Sequence, residues 1–372
     1  MNKLFQKKLC WLAGLLLLFL APLYADCVKP NGCKGPSLCT SYPIIEGSGG
    51  YLEVGVLAQQ MRVSNTDFAY VIQNGSAPYT DQDPYRSVNM LRPRFNVDAG
   101  LRVSTGYYFD EDGWVLMGAF EWLWSRGVLG FKSNFQNEAT IRPTHITHIF
   151  YENTHFTEFL ELDATLEVQY FLLDIFLARG SYFSGHFTFE PFAGLKSSWI
   201  YYDSKERYLH DEALHVPTTT SWLRKAESNF WGTGPMIGFN GNYYFNQYWS
   251  LFSMGDFSVL LGESSVTDIT GFVTMQSTPN TFRVKDTNLV LSPTLRAILG
   301  FQYEKDAFDQ TQHFTIKAGF DGRVYFNQYP IVDRPASALL STTNEEILYG
   351  AEIIENGSFG MTGFIFMVGW DF

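Results

Sequence analysis

Between residues 160 and 172 apolar and polar side chains alternate without a break. Leu160, Leu162, Ala164, Leu166, Val168, Tyr170 and Leu172 are interleaved with Glu161, Asp163, Thr165, Glu167 and Gln169. On a helix of 3.6 residues per turn these carboxylates would scatter round the cylinder, whereas at period two they share one face of a strand. The pattern recurs at 93–109, where Phe95, Val97, Ala99, Leu101 and Val103 oppose Arg94, Asn96, Asp98 and Arg102, and again at 289–303. Runs of this length exceed the five or six residues usual in soluble sheets and suit the roughly 9–11 residues of a tilted membrane strand. Ten strands are expected, near 51–62, 93–109, 113–125, 158–178, 186–200, 231–245, 248–262, 287–303, 311–326 and 359–372. Strand-like pieces in 63–92 and 329–358 could add hairpins. The expected fold class is therefore all-β, a transmembrane antiparallel β-barrel of ten to fourteen strands.

Both termini agree with that reading. Lys3, Lys7 and Lys8 precede an apolar run from Leu9 to Leu20, and Leu23-Tyr24-Ala25 offers a small-residue cleavage site, so residues 1–25 read as a cleaved signal peptide. The run is too short for the roughly 20 residues of a spanning helix. At the other end Phe364, Phe366, Val368, Trp370 and Phe372 fall on one face of a closing strand. Val368, Trp370 and Phe372 then read as a terminal assembly signal, with the barrel-assembly machinery and outer-membrane lipid as partners. Location in the bacterial outer membrane follows, with residues 51–372 as the barrel.

Aromatic residues make up 17% of the chain, yet charged residues also reach 17%, as strands with one lipid face and one wet face require. The net charge is −12, which argues against nucleic acid as a partner. Residues 26–50 form a Pro/Gly-rich arm carrying Cys27, Cys33 and Cys39. An odd number of cysteines in an exported chain leaves a thiol for a partner chain, a homo-oligomer or none. Asp110-Glu111-Asp112-Gly113, 180–185, Asn246-Gln247 and 304–310 are short connections, and 63–92, 126–157, 201–230, 263–286 and 327–358 are long ones. Such barrels keep short turns in the periplasm and long loops outside. A repeat also stands out: Gly238 to Tyr248 resembles Gly319 to Tyr329, although the strand count runs the two copies in opposite directions.

Enzymatic signatures are scarce: G-x-S-x-G, H-E-x-x-H, the P-loop and C-x-x-C are all missing. His145, His148 and His155 read as ordinary loop histidines, and no enzyme, metal or cofactor is expected. A charge facing lipid costs about 2–4 kcal/mol at the midplane. The strand carboxylates and cations are therefore expected inside, with Glu161, Asp163, Glu167, Glu190, Arg102, Lys196, Arg296, Lys317 and Arg323 as pore-lining candidates. There they either line a water-filled pore for small hydrophilic solutes or pair with one another and plug the lumen. The row Glu161, Asp163, Glu167 would give such a pore a modest cation preference. The rival reading is a non-conducting surface protein serving adhesion or envelope integrity.

Four stretches carry a family resemblance: Asp67 to Ile72, Gly100-Leu101-Arg102-Val103 through Asp112-Gly113-Trp114, Phe189 to Leu195 with Trp199-Ile200, and Asn229 to Pro235. They are similar to the Legionella-type pore-forming outer-membrane protein family, which resembles the chlamydial major outer-membrane proteins. The resemblance implies a pore for small hydrophilic solutes and transfers no binding residues. Glu190 stands where the family pattern has a basic residue. The resemblance also implies disulfide cross-linking of the envelope through Cys27, Cys33 and Cys39.

Overall fold

The computed structural model describes residues 49–372 apart from 65, 67, 74–87, 110–113, 133–138, 144–158, 160, 180, 185–186, 210–218, 247, 275–276, 308–311 and 334–351. The signal peptide and the three arm cysteines lie outside the described residues, as do His145, His148 and His155. In chain order the strands are β1 (Gly49–Val63), β2 (Ala69–Gln73), β3 (Val88–Leu91), β4 (Arg94–Phe95), β5 (Val97–Tyr108), β6 (Trp114–Lys132), β7 (Ala139–Pro143), β8 (Glu161–Arg179), β9 (Ser181–Ser184), β10 (Phe187–Leu209), β11 (Thr219–Tyr244), β12 (Trp249–Thr274), β13 (Ser277–Ala307), β14 (Gln312–Asp333) and β15 (Glu352–Asp371). Ten of them form the wall, in the order β1-β5-β6-β8-β10-β11-β12-β13-β14-β15, and every pairing is antiparallel.

The ring closes where β15 meets β1, from Tyr51 opposite Asp371 to Val63 opposite Phe359. Gly50 and Phe372 extend this ladder with a pair of backbone hydrogen bonds at 2.8 and 2.9 Å. Gly363 is required at the seam, because a Cβ there would lie 2.1 Å from the carbonyl oxygen of Ala58. With no free edge, the sheet satisfies its own backbone in lipid.

Outside, aromatic side chains mark two girdles. Trp114, Tyr243, Phe245, Tyr248, Trp249, Trp370 and Phe372 are exposed beside the short connections. Trp122, Phe171, Trp199 and Trp231 sit side by side on β6, β8, β10 and β11. Eight residues separate Trp114 from Trp122, and a rise of about 3.3 Å per residue on a wall tilted by about 40° makes the band between them roughly 20 Å tall. It carries exposed apolar side chains such as Val54, Leu101, Leu195, Ile237, Leu295 and Phe366.

The wall then continues upward as strand where loops were expected. Residues 201–230 and 263–286 mostly extend β10 to β13, and β13 reaches 31 residues. A three-stranded sheet, β3-β2-β7, is built from the segments after β1 and β6. Its Ala69, Val71 and Ile141 and the preceding Phe68 are buried, and Phe68, Ala69 and Ile141 pack with residues of the wall such as Leu162 and Phe230 in one apolar cluster.

The repeated segment resolves into two uses of one dipeptide. In the first copy the Oδ1 of Asn246 accepts the backbone N–H groups of Tyr248 and Trp249, both at 2.9 Å, and turns the chain from β11 into β12. In the second copy Asn327 takes a positive φ of 59° within β14. The register against β15 shifts between Tyr325 and Tyr329. Both copies are therefore aromatic strand ends kinked at Asn-Gln, and they run in opposite directions.

Candidate functional site

Side-chain parity decides what faces the lumen. On β8 the even-numbered residues Leu162 to Leu172, then Asp174, Phe176 and Ala178, are buried, whereas Ile175 and Leu177 on the odd face are exposed. Glu161, Asp163 and Glu167 share that odd, outer face, which overturns their expected place in the lumen. The alternation has the expected period of two and the opposite polarity. Glu167 lies four residues past the girdle residue Phe171, roughly 13 Å further along the strand. There the outer wall is in water, and the apolar face turns inward.

The charged outer wall pairs with itself: Glu167 with Arg126 at 3.6 Å, Glu161 with Lys132 at 3.2 Å, Asp203 with Lys205 at 3.2 Å and Glu227 with Lys225 at 2.5 Å.

The other candidates do face inward, and three of them, Arg102, Arg296 and Arg323, meet at one carboxylate. Glu121, fully buried on β6, accepts from Arg102 on the neighbouring β5 and from Arg296 and Arg323 on β13 and β14 across the lumen. Asp321 on β14 receives Arg296 at 2.9 Å, Arg323, and the amide of Gln59 at 2.7 Å. β6 and β13 lie five steps apart in either direction round the ring, so the 2.8 Å contact of Arg296 with Glu121 spans the barrel's diameter. Lys196 on β10 bonds Asp256 on β12. Glu121 is expected on the wet face from alternation alone, but its partners, one of them 202 residues away, are not legible in the sequence. Its placement one residue before the outward Trp122 puts it in the inward register with Ala119 and Leu123.

This ionic layer fills the mid-lumen, where Lys196 and Arg296 are each only 2% exposed. Above it Tyr170, Tyr202, Phe230, Phe359 and Met361 pack as an apolar mass. Below it Met254, Ile298, Ile365 and Met367 form a second apolar layer, and then a vestibule of about 150 Å³ opens beside the short connections, lined by Glu190 and Lys317 among others. Lys317 is held by Glu53 at 2.6 Å, and Asn240 donates to Glu190 at 3.2 Å. Asp174, 1% exposed and level with Lys196 on the adjacent strand, has no hydrogen-bond partner on either carboxylate oxygen. Among the described residues no three His, Cys, Asp or Glu side chains gather to hold a metal ion.

A closed ten-strand wall, an apolar belt between two girdles and a polar interior define an outer-membrane β-barrel protein. The chain belongs to the family described as Legionella pneumophila major outer membrane protein precursor, which it matches over residues 51–372. No curated protein matches it. Similar solved structures include the outer membrane protease OmpT from Escherichia coli, at 11% identity over 87% of this chain and 96% of that one, TM-score 0.41. The toluene transporter TodX of P. putida is similar at 8% identity over 87% and 89%, TM-score 0.27. A Pseudomonas aeruginosa FadL homologue is similar at 10% over 90% and 91%, TM-score 0.30. Nothing about the activities of those proteins passes to this chain at such likeness.

Proposed function

We propose that this barrel is a small-solute porin held shut at rest by its ionic layer. The observation that carries this reading is the contact of Glu121 with Arg102, Arg296 and Arg323. Arg296 and Arg323 also reach Asp321, so the bolt across the lumen is made of arginines that already have two acceptors each. Exchange between acceptors breaks a cross-lumen contact without leaving an arginine unpaired, and charged side chains lining a pore set which ions it passes. Family membership and the vestibule on one side of the layer support the same reading. The selectivity proposed is a modest cation preference, resting on Asp174 and Glu190 and no longer on the row Glu161, Asp163, Glu167. No enzymatic role is proposed, and the arm cysteines are proposed to cross-link neighbouring chains.

The apolar packing above the layer favours a second reading, a permanently closed surface barrel. Single-channel recording of the refolded chain separates the two. The porin reading expects brief, small openings that become more frequent in Glu121→Gln. Silence in both the wild type and this variant establishes the closed surface barrel instead.

A further inference from the structure

The vestibule has a chemistry of its own, independent of whether the barrel conducts. Its mouth is acidic beyond the needs of its cations. Lys317 is committed to Glu53, Arg102 to Glu121, and His313 lies 3.6 Å from Glu304. Glu190 and Asp371, both lining the space, then form no ion pair within 4 Å among the described residues, with Lys317 attracting both and His313 attracting Asp371 from further off. Glu304, 4% exposed and also in the lining, presents an Oε2 with no hydrogen-bond partner. The rings of Tyr51 and Tyr108, 5.8 Å apart, flank the same opening. The far end is different: Met117, Phe176, Met254, Ile298 and Met367 line it, with no charge among them.

We infer that the vestibule is a binding site for a small primary alkylammonium, its cationic head between Glu190, Asp371 and the tyrosine rings and its alkyl tail against the methionine-rich ceiling. Half-buried carboxylates that no close ion pair neutralises favour a cation, and tyrosine faces add attraction to an ammonium. The apolar end sets the guest apart from a bare metal ion, which would leave that surface uncovered. A volume of about 150 Å³ is well below the roughly 300–1,000 Å³ of drug-sized sites, so the guest is short. Access is from the side of Gly50 and Phe372, where the chain ends of the barrel meet.

The test is isothermal titration of the refolded, lipopolysaccharide-free chain with n-pentylamine, alongside pentanoate and pentanol. The amine is expected to saturate one site and to bind at least tenfold more tightly than either comparator. Glu190→Gln and Asp371→Asn, which keep side-chain size, are each expected to weaken it at least fivefold. The double variant Glu161→Gln with Asp163→Asn changes only the outer wall and is expected to leave affinity unaltered. Equal binding of amine and pentanoate overturns the inference, as does unchanged amine affinity in either lumen variant, or an equal loss in the outer-wall variant.

Discussion

The hydroxyls of Tyr170 and Tyr325 are 2.5 Å apart, although their strands, β8 and β14, lie five steps apart whichever way the ring is followed. Tyr170 also accepts from Arg323 at 3.1 Å. The two tyrosines thus tie opposite walls together immediately above the ionic layer. Tyr325→Phe should keep the ring packing and lose the tie, costing about 1–3 kcal/mol as the remaining buried hydroxyl loses a partner. A fall in the urea midpoint of the barrel with unchanged slope checks it.

Glu121 is the junction of the layer. Glu121→Gln leaves Arg296 and Arg323 with Asp321 as their carboxylate and takes from Arg102 its ion pair, and breaking a buried ion pair this way typically costs about 3–5 kcal/mol. A large drop in unfolding midpoint is expected, with the variant still inserting. A midpoint equal to that of the wild type contradicts the central place given to this carboxylate.

Asp174 should behave in the opposite way. Its oxygens are buried without partners, while Lys196 remains bound to Asp256. Asp174→Asn replaces a buried carboxylate that accepts no hydrogen bond and breaks no ion pair within 4 Å among the described residues, so stability should hold or rise. Thermal unfolding in detergent measures this, and reversal potentials on the open pore should show a reduced cation preference.

The outer row gives the complementary result. Changing Glu161, Asp163 and Glu167 together to Gln, Asn and Gln removes exposed pairs worth about 0–1 kcal/mol each. Ion selectivity should not move at all. A changed reversal potential in the triple variant would return these residues to the conduction path.

Deleting Phe372 removes an exposed ring of the periplasmic girdle and the two backbone hydrogen bonds to Gly50 that end the closing ladder. Assembly should be impaired, and a reduced heat-modifiable fraction in isolated outer membranes is the readout.

Much of the wall was legible because period two survives even where the environment changes. The ten strands, their antiparallel order and the outward face of Phe364, Phe366, Trp370 and Phe372 follow from it. What the pattern does not contain is the level of the membrane. Leu162 to Leu172 look lipid-facing only if the whole strand lies in lipid, and β8 passes through the upper girdle at Phe171 and continues into water. The same error in level made loops of 201–230 and 263–286. Arg102, Lys196, Arg296, Lys317 and Arg323 were placed inside correctly because they lie on strand segments flanked by lipid, where a charge has no other side to take. That they would bind one another rather than line an open path depends on distances across the ring, and these are set by strand number and shear, which alternation does not encode.

The collar above the upper girdle has an immunological consequence. A bacterium carrying this protein presents, beneath any loops, a woven surface in which β10 is hydrogen-bonded to a strand on either side and every second of its side chains is hidden. Tyr202, Ser204, Glu206 and Tyr208 point inward between the displayed Asp203, Lys205 and Arg207. An antibody to the linear peptide 201–209 would meet side chains that the native wall never shows together. Recognition of the intact cell at this height has to read across strands, joining Glu167, Asp203 and Glu227, which lie side by side in the sheet but far apart along the chain.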